Sequence, residues 1–301
     1  MTHKHVLTLG PALFLWDGPQ WRDFYFDIAD EAPVDIVFLG EVVCSKRQHF
    51  AEPYLAKVVD RLRRAGKDIV LSSLALATQP REIAFNRECA RQNEFLVEAN
   101  DLSLMPHLAG KAHVVGPMVN VYNAMTANYL AGRGARVVCL PPELPLASIA
   151  TIAQDLDGAE VEVFAYGRSP LAISARCAHA RAKGRTKDDC RFACADDPDG
   201  LPAMTMSGEP FLAINGVQTM SHSYHCAVGA IGALLRSGVR RFRLSPQKVD
   251  MIAVATIYRA MLSGELDSEE ALVRLMRLSP DVRHSNGFLF GVAGADFVTA
   301  S

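Results

Sequence analysis

The chain has 301 residues, of which 50% are hydrophobic and 21% charged, and its formal net charge is −2. This balance is typical of a folded globular protein and excludes an intrinsically disordered chain. The near-neutral charge, without a block of basic residues, does not indicate a nucleic-acid-binding surface. The length fits one large α/β barrel or two modest domains.

The first apolar segment, Val6 to Trp16, is hydrophobic enough to resemble the core of a signal peptide. Gly10-Pro11 interrupts it, Asp17-Gly18-Pro19 ends it, and no small-residue cleavage site follows. We therefore interpret it as a first buried strand with its turn. No apolar stretch is long enough to cross a bilayer, so we expect a cytoplasmic protein.

Short β-branched runs alternate with amphipathic helical segments along the chain. The predicted strands are His5–Gly10, Val34–Gly40, Asp68–Ser72, Phe95–Ala99, Ala112–Gly116, Ala135–Leu140, Val161–Ala165 and Arg241–Leu244. The predicted helices include Pro53–Ala65, Pro80–Gln92, Tyr122–Gly132, Leu146–Leu156, Ala227–Ser237 and Gln247–Leu262. Nearly continuous apolar runs indicate strands buried on both faces, as in a parallel sheet. Eight of them predict a TIM-like (β/α)8 barrel, with a doubly wound open sheet as the alternative.

Polar residues follow several of the predicted strands, and a barrel would place them around one mouth, where active sites are built. They are Glu41, Glu98, Asn100, Asn120 and Glu143. For any single one of them, capping of the next helix is the commoner role.

One region departs from the alternation of strands and helices. Residues 167–216 form a long segment after the seventh strand that contains three cysteines and a predicted hairpin around Met204–Ile214. Long irregular loops in compact domains are usually functional or disordered, and the cysteines favour order imposed by a metal. We therefore predict a single barrel-like domain over 1–301 with an insertion at 167–216.

Four of the seven cysteines are predicted to converge. Cys177, Cys190 and Cys194 lie in the insertion, and Cys44 follows the second strand, whose loop opens on the same face of a barrel. An odd number of cysteines in a reducing compartment does not suggest disulfides. Four thiolates suit zinc or a [4Fe–4S] cluster almost equally; the single short pair puts iron–sulfur only slightly ahead.

Basic residues near these cysteines are candidates to stabilise a negatively charged cluster, although each of them also fits a solvated loop. They are Lys46, Arg47, Arg168, Arg176, Arg181 and Lys183. Cys89 and Cys139 are expected to be packed in a helix and a strand. Cys226 is expected to begin a helix, with His222 and His225 at the preceding turn.

Two motifs surround cysteines of this set: GEVVCSKR at 40–47 and the segment Tyr166–Cys177. They resemble the GEAVCSKR and YGxxPLAxSARC segments of the UbiV family, which belongs to the collagenase-like peptidase superfamily. Further segments similar to that family are Leu71–Leu76, Asn93–Ala99, Asn215–Ser221 and Arg243–Gln247. The superfamily's usual histidine and extra cysteine are replaced here by Tyr166 and Pro170. These two replacements distinguish the chain from the superfamily members named as peptidases and agree with the UbiV pattern.

The resemblance implies a [4Fe–4S] cluster on Cys44, Cys177, Cys190 and Cys194. It also implies a heterodimer with UbiU, hydroxylation of the ubiquinone ring precursor without dioxygen, and a lipid carrier of the UbiT type. Catalytic residues are not identified. The alternatives are an iron–sulfur protein of RNA modification, a zinc-stabilised structural partner, and a protease, for which no nucleophile–base pair is found.

Overall fold

A computed structural model describes residues 5–299 as a closed barrel of eight parallel strands. The barrel strands are β1 (Val6–Leu9), β2 (Ile36–Leu39), β3 (Asp68–Ser72), β4 (Leu96–Ala99), β5 (His113–Val115), β6 (Ala135–Leu140), β7 (Glu160–Ile173) and β11 (Arg241–Leu244). Each of these strands pairs in parallel with the next, and β11 pairs with both β1 and β7, which closes the ring. The predicted TIM-like barrel is confirmed, and the open sheet is excluded by the closure.

Helices pack around the barrel, and six of the ten found among residues 5–299 match predicted segments, with ends that differ by up to five residues. They are α1 (Gly18–Glu31), α2 (Gln48–Arg64), α3 (Pro80–Arg91), α4 (Met105–Leu108), α5 (Ala124–Gly132), α6 (Leu146–Asp155), α7 (Ala178–Ala182), α8 (Ile231–Arg236), α9 (Met251–Ser263) and α10 (Ser268–Leu278).

Helix α1 begins where the sequence was interpreted only as the end of an apolar segment. The Asp17 side chain accepts a hydrogen bond from the Gln20 backbone N–H, and Pro19 lies in the first turn. Both residues are therefore an N-cap and a helix start rather than a loop. The helix buries Trp21 and Tyr25 against the barrel.

The seventh strand continues beyond the barrel and carries a second, antiparallel layer. Strands β8 (Leu201–Met204), β9 (Pro210–Asn215) and β10 (Gln218–Cys226) add to its distal half in the order β7-β10-β9-β8, and β12 (His284–Ser285) pairs with β10. The hairpin predicted around Met204–Ile214 is present as β8 and β9. Residues 167–173, assigned to the insertion from sequence, instead belong to β7.

Strand β10 corrects a second expectation. His222 and His225 lie within this strand rather than at a strand-to-helix turn, and Cys226 is its last residue rather than the start of a helix. The strand bonds to β7 on one side and β9 on the other, so tertiary pairing outweighs the helical pattern of the residues that follow. Among residues 5–299, no helix is long and apolar enough to cross a membrane.

Candidate functional site

The four cysteines singled out from sequence line one pocket, called here the thiol pocket. Its walls are formed by Cys44, Cys177, Cys190 and Cys194 together with Lys46, Arg47, Lys187 and Phe192. Cys44 comes from the loop after β2, and the other three come from the segment between β7 and β8. None of the seven cysteines forms a disulfide. The structure thus brings together cysteines that are far apart in the chain, while their role as ligands stays a prediction.

The loop that carries Cys44 is held in place by the carboxylate of Glu41, a residue of the same loop. Glu41 Oε1 accepts hydrogen bonds from the backbone N–H groups of Val43 (2.8 Å) and Cys44 (2.9 Å). Gly40, at φ +133°, lies so close to Ser72 that a Cβ would be 2.4 Å from its carbonyl oxygen. A glycine is therefore required where this loop leaves the barrel.

The other three cysteines are positioned by short turns. Cys177 caps α7, and its Sγ accepts a hydrogen bond from the Ala180 N–H at 3.4 Å. Between Cys190 and Cys194, both Arg191 (φ +46°) and Phe192 (φ +52°) adopt left-handed backbone. Non-glycine residues rarely adopt this conformation outside turns and functional sites.

Arg47 is the buried cation of the thiol pocket, with 3% of its surface exposed. Its Nη1 donates to the Leu13 carbonyl and its Nη2 to Asn215 Oδ1, both at 2.9 Å. Asn215 Nδ2 also donates to the Leu13 carbonyl, at 2.7 Å. These bonds join the loop after β1, the loop after β2 and strand β9, so Arg47 fixes the pocket's walls relative to one another.

Two opposing effects act on the ionisation of the thiols in this pocket. Burial raises the pKa of the Cys44 thiol and that of the Cys194 thiol, while the positive charge of Arg47 acts in the opposite direction on both. Since the thiolate is the form that binds metal, a metal centre would have to supply the remaining stabilisation. Within residues 5–299, no three His, Cys, Asp or Glu side chains are arranged to hold a single metal ion. The donor set itself, four sulfurs around one pocket, fits zinc or a [4Fe–4S] cluster.

The basic residues proposed to surround the cysteines fall into three groups. Lys46 and Arg47 line the thiol pocket, and Arg176 and Arg181 line a neighbouring groove that also includes Cys177. Arg168 pairs instead with Asp199 (2.6 Å) and Lys183 with Asp197 (3.2 Å). Lys187, whose carbonyl accepts a bond from Lys46 Nζ (2.6 Å), also lines the thiol pocket and was not singled out from sequence.

A second group of polar residues lies inside the barrel at its mouth. Glu98 Oε2 accepts hydrogen bonds from Ser72 Oγ (2.6 Å) and Asn100 Nδ2 (3.0 Å), and its Oε1 accepts one from Arg243. Arg243 also donates through Nε to Glu162 Oε2 at 2.7 Å. A small cavity at the mouth is lined by Glu98, Asn100 and Arg243, together with Leu13 and Val42.

The mouth contains only part of the polar set expected there. Glu98 and Asn100 meet, whereas Glu41 faces away toward α2, Asn120 is exposed, and Glu143 accepts a hydrogen bond from Tyr122. Arg243 and Glu162 were missed. The sequence did contain a signal for this pair: Arg243 lies within a predicted barrel strand, and a buried arginine needs a carboxylate partner.

The remaining cysteines lie outside the thiol pocket. Cys139 and Cys226 are buried in strands, and Cys89 is partly buried on α3. His225 packs near Phe164 rather than near the thiols, and its Nε2 is buried without a hydrogen-bond partner in the described part of the chain.

The fold and this arrangement define a (β/α)8 barrel with a cysteine-lined pocket beside its mouth. The sequence pattern of peptidase family U32 matches residues 24–296, and the chain belongs to this family. It is also 29% identical over 154 residues to the 23S rRNA 5-hydroxycytidine C2501 synthase of Escherichia coli (strain K12). That similarity covers 49% of this chain and 23% of the relative, so the chain matches less than a quarter of that protein's length.

Proposed function

We propose that this protein is the iron–sulfur subunit of an oxygen-independent hydroxylase, acting on the ubiquinone ring precursor in a heterodimer with UbiU. The observation that carries the proposal is the convergence of Cys44, Cys177, Cys190 and Cys194 on one pocket. Membership of the U32 family and the relative that forms 5-hydroxycytidine support ring hydroxylation as the reaction class. The motifs around Cys44 and Cys177 support the quinone precursor as the substrate.

In this proposal, Cys44, Cys177, Cys190 and Cys194 hold a [4Fe–4S] cluster. Such a cluster supplies single-electron transfer when bound. Arg47 offsets negative charge at the pocket, and its bonds to Leu13 and Asn215 keep its guanidinium in place. Phe192 adds an aromatic side chain to the lining of the pocket. A lipid carrier of the UbiT type would deliver the apolar substrate to the complex.

A second candidate is hydroxylation of a base in RNA, with the same cluster. It is favoured by the activity of the Escherichia coli relative, a 23S rRNA 5-hydroxycytidine synthase. The net charge of −2 does not favour it, since RNA binding depends strongly on lysine and arginine contacts to phosphates. Proteolysis is not proposed, because the thiol pocket contains no histidine to activate a cysteine.

The first experiment is anaerobic purification followed by iron, acid-labile sulfide and zinc analysis. We expect about four irons and four sulfides per chain. Cys177→Ala should lose them, while Cys89→Ala, which changes a cysteine outside the pocket, should retain them. Stoichiometric zinc without iron would contradict the proposal.

The second experiment separates the two substrates. Cells that lack the protein are grown without oxygen, and both the quinone pool and the hydroxylated ribonucleosides of ribosomal RNA are measured. Accumulation of an unhydroxylated quinone precursor, reversed by the wild-type gene but not by the Cys177→Ala gene, is the expected result. Loss of a hydroxylated nucleoside with a normal quinone pool would select the RNA candidate instead.

A further inference from the structure

A second cavity lies next to the thiol pocket, and five of its fourteen lining residues are aromatic; we call it the aromatic cavity. It has a volume of 320 Å³, and its apolar walls are Phe14, Leu15, Trp16, Trp21, Phe50 and Phe85. Phe14, Trp16 and Trp21 are themselves buried. The walls come from the loop after β1 and from α1, α2 and α3. Cavities of this size and composition are typical of small-molecule sites.

The aromatic cavity touches the thiol pocket through one residue, because Arg47 lines both. The loop from Gly40 to Arg47 thus contributes Cys44 to one space and Glu41 to the other. A molecule in the aromatic cavity would therefore be separated from the thiol pocket by the Arg47 side chain.

Few polar groups face this cavity, and they are complementary. Glu41 Oε1 is occupied by the backbone N–H groups of Val43 and Cys44, whereas its Oε2 accepts no hydrogen bond from residues 5–299. Gln48 Nε2 is buried and finds no partner among the same residues. A hydroxyl group would satisfy this pair by donating to Glu41 Oε2 and accepting from Gln48 Nε2. Arg47 Nε, which is also buried without a partner among residues 5–299, is a second donor on a lining residue.

The charges around the cavity disfavour an anion. Glu41 and Glu52 are its acidic lining residues and Arg47 its basic one, and the terminal nitrogens of Arg47 are already engaged by Leu13 and Asn215. An additional negative charge would meet two carboxylates and one guanidinium whose terminal nitrogens are already hydrogen-bonded.

We propose that the aromatic cavity binds a neutral aromatic ring bearing a hydroxyl group, a phenol in chemical class, with the ring between the tryptophans and the hydroxyl toward Glu41 and Gln48. The binding inference rests on the cavity alone. If the proposed hydroxylase function also holds, the substrate ring binds in this cavity, beside the cluster.

The test uses a property of the sequence: the chain has two tryptophans, Trp16 and Trp21, and both line the cavity. Anaerobically purified protein is titrated with 4-ethylphenol, ethylbenzene and 4-ethylbenzoate, followed by tryptophan emission and by isothermal titration calorimetry. We expect saturable binding of the phenol, roughly ten-fold tighter than ethylbenzene because of its hydrogen bonds. The benzoate should bind more weakly than the phenol.

Two variants of helix α2 provide the matched comparison. Ala51 lines the cavity, so Ala51→Phe should fill it and weaken phenol binding at least ten-fold. Ala56 is exposed on the same helix and does not line the cavity, so Ala56→Phe should leave binding unchanged. A third variant, Gln48→Leu, should reduce the preference for phenol over ethylbenzene while retaining apolar binding.

The inference is overturned if wild-type protein shows no saturable phenol binding, or if Ala51→Phe and Ala56→Phe bind equally well. Iron content measured on the same samples keeps the two proposals separate. Phenol binding by protein without iron supports the inference and contradicts the cluster. Iron-loaded protein that does not bind phenol contradicts the inference only.

Discussion

His225 and His284 are buried on the paired strands β10 and β12, away from the thiol pocket. Burial lowers the pKa of each imidazole to about 4, well below the usual value of about 6.5. In the folded protein both rings are therefore neutral at neutral pH. Between pH 6.5 and 4 the unfolded chain binds protons that the folded chain does not, so folding stability falls as the pH is lowered through this window.

We expect each histidine to reduce the free energy of unfolding by about 2 kcal/mol between pH 7.5 and pH 5. Urea unfolding at several pH values measures the slope. His225→Gln should flatten it by about half of the combined effect, whereas His107→Gln, which changes an exposed histidine, should not. An unchanged slope in His225→Gln would show that His225 is not held neutral by burial.

At the level of single residues, sequence predicted which cysteines would meet but not what holds them. Cys44 and Cys177 could be paired in advance because the loops after the second and seventh strands of a barrel open on one face. The anchoring of Arg47 by Leu13 and Asn215 could not, because those contacts depend on side-chain geometry between segments distant in the chain. The position of Lys187 in the thiol pocket could not be predicted from sequence for the same reason.

The turn between β9 and β10 is the element on which Arg47 depends. Gly216 has φ +65°, and a Cβ there would lie 2.5 Å from Arg47 Nη2. An alanine at this position would be strained in its backbone and would also push the guanidinium off Asn215. The turn thus sets the position of the buried cation.

Gly216→Ala should destabilise the protein by about 1–3 kcal/mol and reduce iron retention. The matched control is Gly208→Ala in the β8–β9 turn, where φ is +84° but no atom lies within 4 Å of a new Cβ. The control isolates backbone strain, so the excess cost of Gly216→Ala measures the clash with Arg47. Chemical unfolding and iron analysis measure the stability and the iron content of both variants. Equal stability and equal iron content would mean that Arg47 moves aside without cost.

At the level of elements, the parallel strands were predictable because buried strands leave continuous apolar runs such as Val37-Phe38-Leu39. Strand β10 was not, since its residues, QTMSHSYHC, lack an apolar run or a clear alternation. Its hydrogen-bonded pairing with β7 and β9 stabilises the strand conformation that its own sequence does not indicate. Helix α1 was missed because Asp17 and Pro19 are as common in turns as at helix starts.

Across the whole molecule, one buried network joins strands from different parts of the barrel. Arg243 on β11 reaches Glu98 on β4 and Glu162 on β7, and Thr8 on β1 donates to Glu162 at 2.8 Å. Burial opposes ionisation of Glu162, but the positive charges of Arg243 and Arg241 outweigh it and lower the pKa of that carboxyl. Arg243 also stacks 4.0 Å from the centre of the Phe38 ring.

Arg243→Met should cost about 3–5 kcal/mol of stability, because it leaves two buried carboxylates without their cation. Arg236→Met, which changes an exposed arginine on α8, should alter stability by less than about 0.5 kcal/mol. Thermal and urea unfolding of the two variants provide the comparison. A loss below about 1 kcal/mol for Arg243→Met would mean that the carboxylates take up protons or water instead.

If the thiol pocket holds a cluster, its loss should loosen one region rather than the barrel. Amide hydrogen exchange should speed up in residues 40–47 and 174–217 after the cluster is removed, while β3 to β6 keep their protection. Exchange measured before and after oxidative cluster loss tests this. Uniform acceleration across the chain would show that the cluster supports the whole fold.

The buried bond between Arg47 and Asn215 has a consequence for biosynthesis. Cys44 emerges from the ribosome early, but the arginine that frames its pocket stays unanchored until β9 has been made, and the ring of strands closes only with β11. If the thiol pocket holds an iron centre, one loaded before β9 and β11 are made would meet thiols but neither an anchored Arg47 nor a closed barrel. Assembly machinery would then have to wait for the finished protein, and the apoprotein would be an intermediate that the cell must keep folded and reduced.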